Sequence, residues 1–113
     1  MIKITSIDVY KIDLPLKEGK YNWSHQSSVS AFDSTIVKLN TDKNIFGFGE
    51  VCTLGPAYLP AYPEGAREGI KKIGKFLIGM DPTNFSEINI QMDRNLKGHN
   101  YVKSPIDMAC WDI

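Results

Sequence analysis

The feature that most constrains this chain is residues 46–68, FGFGEVCTLGPAYLPAYPEGARE. The segment opens as a strand, with Phe46 and Phe48 alternating with Gly47 and Gly49 before Val51 and Cys52 extend the run. Glycine inside a strand gives up packing and backbone entropy, so it marks a bulge or the close approach of another backbone. Past Cys52 the alternation stops. Gly55, Pro56, Pro60, Pro63 and Gly65 interrupt regular structure, and Tyr58, Leu59 and Tyr62 stand among them. A merely connecting loop would be polar. Large apolar and aromatic side chains on an irregular segment indicate a loop that closes over a site.

The strands before it follow from period-two patterning. Ile2, Ile4, Ile7, Val9, Ile12 and Leu14 shift phase from even to odd and back, which reads as one long strand with a bulge or as two short strands, ended by Pro15. Residues 16–30 read as a polar loop carrying Tyr21, Trp23 and His25. A tryptophan among lysine, asparagine and serine has no periodic face to join, so it either folds back on the core or covers something. Residues 34–41 are β-rich, and Thr41-Asp42-Lys43-Asn44 supplies a turn before the glycine-bearing strand. These segments predict a three-stranded antiparallel meander.

Helical spacing takes over afterwards. Pro63 and Glu64 open a helix whose stripe is Ala66, Ile70, Ile73 and Leu77, with Gly79 as its stop. Gly69 and Gly74 each weaken it by about 1 kcal/mol relative to alanine, so tertiary packing must hold it. Asp81-Pro82 is expected to cap and start a second helix with the stripe Phe85, Ile88, Met92 and Leu96, ended by Gly98. Ser104 reads as the N-cap of a third, with Pro105 its first residue and Asp107 completing a capping box. Its stripe is Ile106, Ala109, Cys110 and Ile113, while Met108 and Trp111 cover other faces. The pattern is unfinished at Ile113 and Trp111 finds no partner in these residues, so the helix is expected to continue beyond them. The expected fold is α+β: one domain over residues 1–113, a three-stranded antiparallel meander followed by a helical bundle.

Composition narrows the function. Thirteen basic residues balance thirteen acidic ones, which removes the electrostatic case for nucleic acid or an anionic membrane as partner. No apolar run reaches membrane-spanning length, and the N-terminus alternates and carries acids, unlike a signal peptide. Cys52 and Cys110 are far apart without metal or redox spacing, so free thiols in a reducing cytoplasm are expected. The chain is poor in catalytic signals. His25 and His99 lack a second donor at ligand spacing, no glycine loop opens a helix, and no nucleophile motif is present. Glu50 is either a base or a hydrogen-bond anchor for a neighbouring loop, the anchor being preferred. Arg67 and Glu68 read as a helix-face pair. The candidate substrate-binding residues are Tyr58 and Tyr62, as aromatic pocket walls, then Trp23 and His25. No catalytic residue or metal ligand is assigned.

The order of these elements carries a resemblance. A bulged first strand, a strand pair closing in GFGEV, a Pro/Gly loop and helices leading to SPIDMACWDI resemble the N-terminal capping domain of the enolase superfamily, in its mandelate racemase/muconate lactonizing enzyme branch. CTLGPAYLPAYPEG and GHNYVKSPIDMACWDI are most similar to the subset acting on proline-like and betaine substrates, including hydroxyproline betaine epimerases. The resemblance implies a following (β/α)₈ barrel that holds the acid/base lysines and binds Mg²⁺, and a small-molecule carboxylate substrate, an amino acid or betaine. It implies that residues 16–30 and 52–64 close the barrel mouth and select the substrate, in a homo-oligomer. A barrel takes about 250 residues, so none is contained here and this stretch alone is expected to be inactive. The rival expectation is a stand-alone, non-catalytic binding or assembly module.

Overall fold

Strand β1 (Ile4–Pro15) pairs antiparallel with β4 (Ala31–Thr41), which pairs antiparallel with β5 (Phe46–Cys52), giving a sheet of order β1-β4-β5. Between β1 and β4 a short hairpin, β2 (Tyr21–Trp23) and β3 (Ser27–Val29), forms its own two-stranded sheet. The helices are α1 (Pro63–Gly74), prolonged by a 3₁₀ turn over Lys75–Leu77, α2 (Phe85–Asn95) and α3 (Asn100–Asp112). This computed structural model describes residues 1–17, 19, 21–23, 27–29 and 31–113, the side chains of 21–23 and 27–29 excepted.

The meander and its phase shift are as expected. The β1–β4 register slips between Ile4 and Ser6, after which Ile7 lies opposite Leu39 and Val9 opposite Val37. That bulge moves the apolar set of β1 from even to odd positions while keeping it on one face. On β5 the same face carries Gly47, opposite Leu39, and Gly49, opposite Val37. Here α3 lies directly on the strand. A Cβ on Gly47 would sit 2.1 Å from the Ala109 carbonyl oxygen, and one on Gly49 would sit 1.8 Å from that of Pro105. The glycines therefore mark a close backbone approach, and no other residue fits. Because β5 is an edge strand, its outward amides need partners; that of Phe48 donates to the Asp112 carboxylate at 2.9 Å.

Val37, Leu39, Ile70, Leu77, Ile88, Met92, Ile106 and Ala109 form the core between sheet and helices. The opposite face of the sheet is open, and Tyr10, Ile12, Leu14, Phe46 and Phe48 on it remain 39–50% exposed. No helix among the described residues is long and apolar enough to cross a membrane.

Four local expectations are corrected. The Asp81 carboxylate closes a turn instead of capping a helix: it accepts from the Thr83 hydroxyl at 2.6 Å and the Thr83 amide at 2.9 Å, bonds that hold its pKa down. The second helix starts three residues later, where the Asn84 side chain accepts from the Glu87 amide. Local side-chain turns and N-caps use the same donors, and at Asp81 the turn wins. The third helix starts not at Ser104 but at Asn100, after His99 in a left-handed conformation, so Pro105 lies inside it. What recruits this extra turn is Val102, which is buried and seats its methyl groups over Gly69, where a Cβ would meet them at 2.7 Å. Asp107 is then freed from a capping role and accepts from Asn89 on α2. Trp111 does have a partner within the chain: its ring stacks on Phe85 at 3.9 Å and 8°, although 66% of it stays exposed. Lastly, the segment read as a plain polar loop contains the β2–β3 hairpin.

Cys52 and Cys110 are free thiols, as expected. Burial raises the pKa of both, Cys110 to about 12. An acid whose folded pKa is raised keeps its proton only in the folded state. Stability from Cys110 is therefore full below the unfolded thiol value of about 8.5 and declines as pH rises from there towards 12. Alkylation at pH 8 should label neither thiol quickly in the native protein and both after denaturation, read by intact mass. Rapid native labelling of Cys110 would contradict its burial. The glycines give a second expectation. Gly49→Ala should destabilise by about 3 kcal/mol or more, since the clash is with backbone. Gly65→Ala, whose Cβ would meet nothing nearer than 3.8 Å, should stabilise α1 by about 0.5–1 kcal/mol. Denaturant midpoints of the two variants must move in opposite directions.

Candidate functional site

The Pro/Gly loop is a shaped segment with defined roots. After Thr53, Leu54 and Gly55 both take positive φ, 59° and 97°, and reverse the chain. A left-handed leucine costs about 1–2 kcal/mol and persists only where its surroundings over-determine it. The Gly55 carbonyl then accepts from the amides of Tyr58 and Leu59, at 3.2 and 3.0 Å. Tyr62 is extended and leads into α1, its carbonyl accepting from Ala66. Tyr58 and Tyr62 are 45% and 63% exposed.

The structure places Tyr62 at a cleft of about 280 Å³, formed with Pro60 on one side and His99 and Tyr101 at the start of α3 on the other. Tyr58 stands on the same loop but outside that lining. Trp23 belongs to β2, with its side chain outside the described residues, and His25 also lies outside them. The His99 ring nitrogen Nδ1 is 2.8 Å from the Lys97 carbonyl. A carbonyl only accepts, so Nδ1 carries the hydrogen, and Nε2 is the acceptor of the neutral ring. His99 had stood out in the sequence only as a histidine without a second donor, and Tyr101 carried no sequence signal of function. They reach the loop because Val102 seats α3 on α1 at Gly69, a contact that periodicity cannot show.

Arg67 is a second departure from the sequence reading. It does not pair with Glu68 along the helix. Its guanidinium crosses to β4, with Nη1 2.7 Å and Nη2 3.3 Å from the two Asp33 carboxylate oxygens and Nη1 3.1 Å from the Thr35 hydroxyl. The arginine side chain is only 12% exposed. Glu50 accepts a hydrogen bond from the Ser34 hydroxyl, a partner on the neighbouring strand and not in the neighbouring loop that was expected. Thr53 Oγ1 is buried without a hydrogen-bond partner among the described residues.

Chemically, the cleft offers aromatic faces and one imidazole, which suit binding. Among the described residues no group of three or more His, Cys, Asp or Glu is placed to hold a metal ion. These residues do not fit a Mg²⁺ site.

Comparison with known proteins agrees with this fold. The family model described as mandelate racemase/muconate lactonizing enzyme, N-terminal domain, matches residues 12–113. The chain is 52% identical over 112 residues to a cis-3-hydroxy-L-proline dehydratase of Roseibium aggregatum, covering 99% of the chain and 30% of that protein. It is 34% identical over 112 residues to an N-succinyl-L-Arg/Lys racemase of Bacillus cereus, again covering 99% of the chain and 30% of that protein. A crystal structure of an enolase superfamily member from Roseovarius nubinhibens ISM, complexed with magnesium, superposes with a TM-score of 0.87 at 42% identity, covering 99% of the chain and 30% of that structure. The chain thus spans about 30% of the length of the relatives it matches. It has the three-stranded sheet and following helices of the enolase N-terminal domain, and it belongs to the mandelate racemase/muconate lactonizing enzyme family as its N-terminal domain.

Proposed function

We propose that residues 1–113 are the substrate-covering cap of a cytoplasmic, Mg²⁺-dependent enzyme that removes the proton α to the carboxylate of an amino-acid-like substrate. The observation that carries this reading is the pair of exposed tyrosines, Tyr58 and Tyr62, on a loop whose roots are fixed by left-handed turns and strand bonds. Family membership supplies the chemistry it serves. Both the dehydratase and the racemase relatives are named for amino acids or their derivatives, which supports a proline-like or N-substituted amino acid as substrate. Mg²⁺ would supply positive charge opposite the substrate carboxylate. Its ligands and the acid/base lysines are assigned to the remainder of the polypeptide, a barrel outside residues 1–113.

Within the cap, the role of Tyr58 and Tyr62 is to shield the substrate and face its nitrogen. A quaternary or N-substituted ammonium has few or no N–H donors, so aromatic faces hold it, each by about 0.5–2 kcal/mol depending on desolvation. Trp23 and His25 are assigned to the same cover.

A second reading, a non-catalytic assembly module, draws on the open sheet face with Phe46, Phe48 and Tyr10. In the enzyme that face is covered by the rest of the polypeptide or by a second copy of the chain. The two readings separate on activity. The complete protein with Mg²⁺ in D₂O should exchange or eliminate at Cα of at least one of proline betaine, cis-3-hydroxy-L-proline and N-succinyl-L-arginine, read by proton NMR. Chelation of Mg²⁺ should abolish it, and silence with all three would favour the module.

On a betaine or N-methylated substrate, Tyr58→Ala should lower kcat/KM by about fivefold or more, while Tyr58→Phe keeps most of it, because the ring face and not the hydroxyl makes the contact. An unchanged kcat/KM in the alanine variant would reduce Tyr58 to loop packing.

A further inference from the structure

The loop between β5 and α1 is fastened at both ends to one short stretch near the start of β4, one end to Ser34 and the other to Asp33 and Thr35. On the open face of the sheet, Glu50 near the end of β5 accepts from the Ser34 hydroxyl. On the helix face, Arg67 in the second turn of α1 grips the Asp33 carboxylate with both terminal nitrogens and reaches Thr35 with one of them. Ser34 and Thr35 are themselves fully buried. β4 begins at Ala31, immediately after the β2–β3 hairpin. The roots of the two covering segments face one another across a cleft of about 110 Å³, lined on the hairpin side by Ala31 and Asp33 and on the loop side by Leu54 and Pro63.

We propose that Arg67 is a positioning residue that couples the two substrate-covering segments by holding the α1 end of one against the β4 end of the other. Its guanidinium suits the task because a planar fork matched to a carboxylate fixes orientation as well as distance, which an ammonium does not. Glu50 fixes the other end of the loop, so residues 53–62 are spanned between two attachments on one strand. The tyrosines move with those attachments. Arg67 touches no substrate and acts by setting where Tyr58 and Tyr62 stand, so its loss weakens substrate binding more than the chemical step.

This inference rests on the cap reading for its kinetic arm and stands on its own for its structural arm. The experiment uses the complete protein with Arg67→Met, Arg67→Lys and Asp33→Asn, and Glu68→Gln as the exposed neighbouring control. Hydrogen exchange is measured without substrate, and kcat and KM on whichever of the three probes above is turned over. Arg67→Met should speed exchange of the amides of residues 53–62 by roughly tenfold or more, with the Val37–Gly49 region of the sheet unchanged. KM should rise by roughly five- to fiftyfold with kcat within about twofold, and Arg67→Lys should recover part of both effects. If Arg67→Met does not fold, Asp33→Asn, which keeps side-chain size and removes only the charge, must give the same pattern in milder form. Exchange in residues 53–62 that matches the wild type, or loosening spread evenly over the domain, overturns the proposal. So does a fall in kcat alone. If the wild-type protein turns over none of the probes, the functional reading has failed, and the exchange result by itself decides the role of Arg67.

Discussion

The structure depends on one contact between backbones. Gly47 and Gly49 are two residues apart on β5, and the Ala109 and Pro105 carbonyls they meet are four apart on α3. Two residues of strand rise about 6.7 Å and four of helix about 6 Å. The two repeats therefore coincide over this length, and a helix laid along the strand brings one carbonyl over each glycine. Neither glycine has a side chain to hold the helix off, so these two contacts set the register of α3 on the sheet. From that placement follow the seating of Val102 over Gly69 on α1, the Asp112 bond to the Phe48 amide, and the position of His99 and Tyr101 beside the loop.

What could be read from the sequence was whatever repeats along one element. The meander, the phase slip of β1 and the stripes Ala66-Ile70-Ile73-Leu77 and Ile106-Ala109-Cys110 all recur with a period, and all face the core. The glycines of β5 were legible for a different reason: a strand that gives up two side chains in four needs something to lie against it. Helix starts were less legible, because Asp81 and Ser104 have the chemistry of caps and their use is decided by neighbours. Tertiary packing of Val102 added a turn ahead of Ser104, and Thr83 captured the Asp81 carboxylate. Long-range pairing was hidden altogether. Arg67 beside Glu68 looks like a surface pair, and nothing local points to Asp33, thirty-four residues earlier. The aromatic loop stood out in the sequence by its composition, whereas the His99 and Tyr101 wall of the cleft beside it did not.

The two faces of the sheet illustrate a division of labour. One face is closed by helices through glycine and small aliphatic residues, which permits tight approach and a fixed geometry. The other carries large side chains that remain accessible, with Lys38 over the Phe46 ring at 4.4 Å and Phe46 edge-on to Phe48 at 5.6 Å. Such a patch is expensive to leave in water and is characteristic of a surface met by more protein. The domain therefore has its close packing on the inner face and its exposed aromatic residues on the outer one.

The reversal at Leu54 and Gly55 has an evolutionary consequence. The chain leaves β5 through two left-handed residues and re-enters regular structure at Pro63, whose fixed φ suits a helix start. Between these points the direction of the backbone is reset at both ends, so the number of residues from 56 to 61 is not tied to strand register or helix phase. Residues can be inserted, deleted or exchanged there without disturbing the contact of α3 with β5. A lineage built on this domain is thus free to lengthen or recompose this segment while inheriting its foundations unchanged.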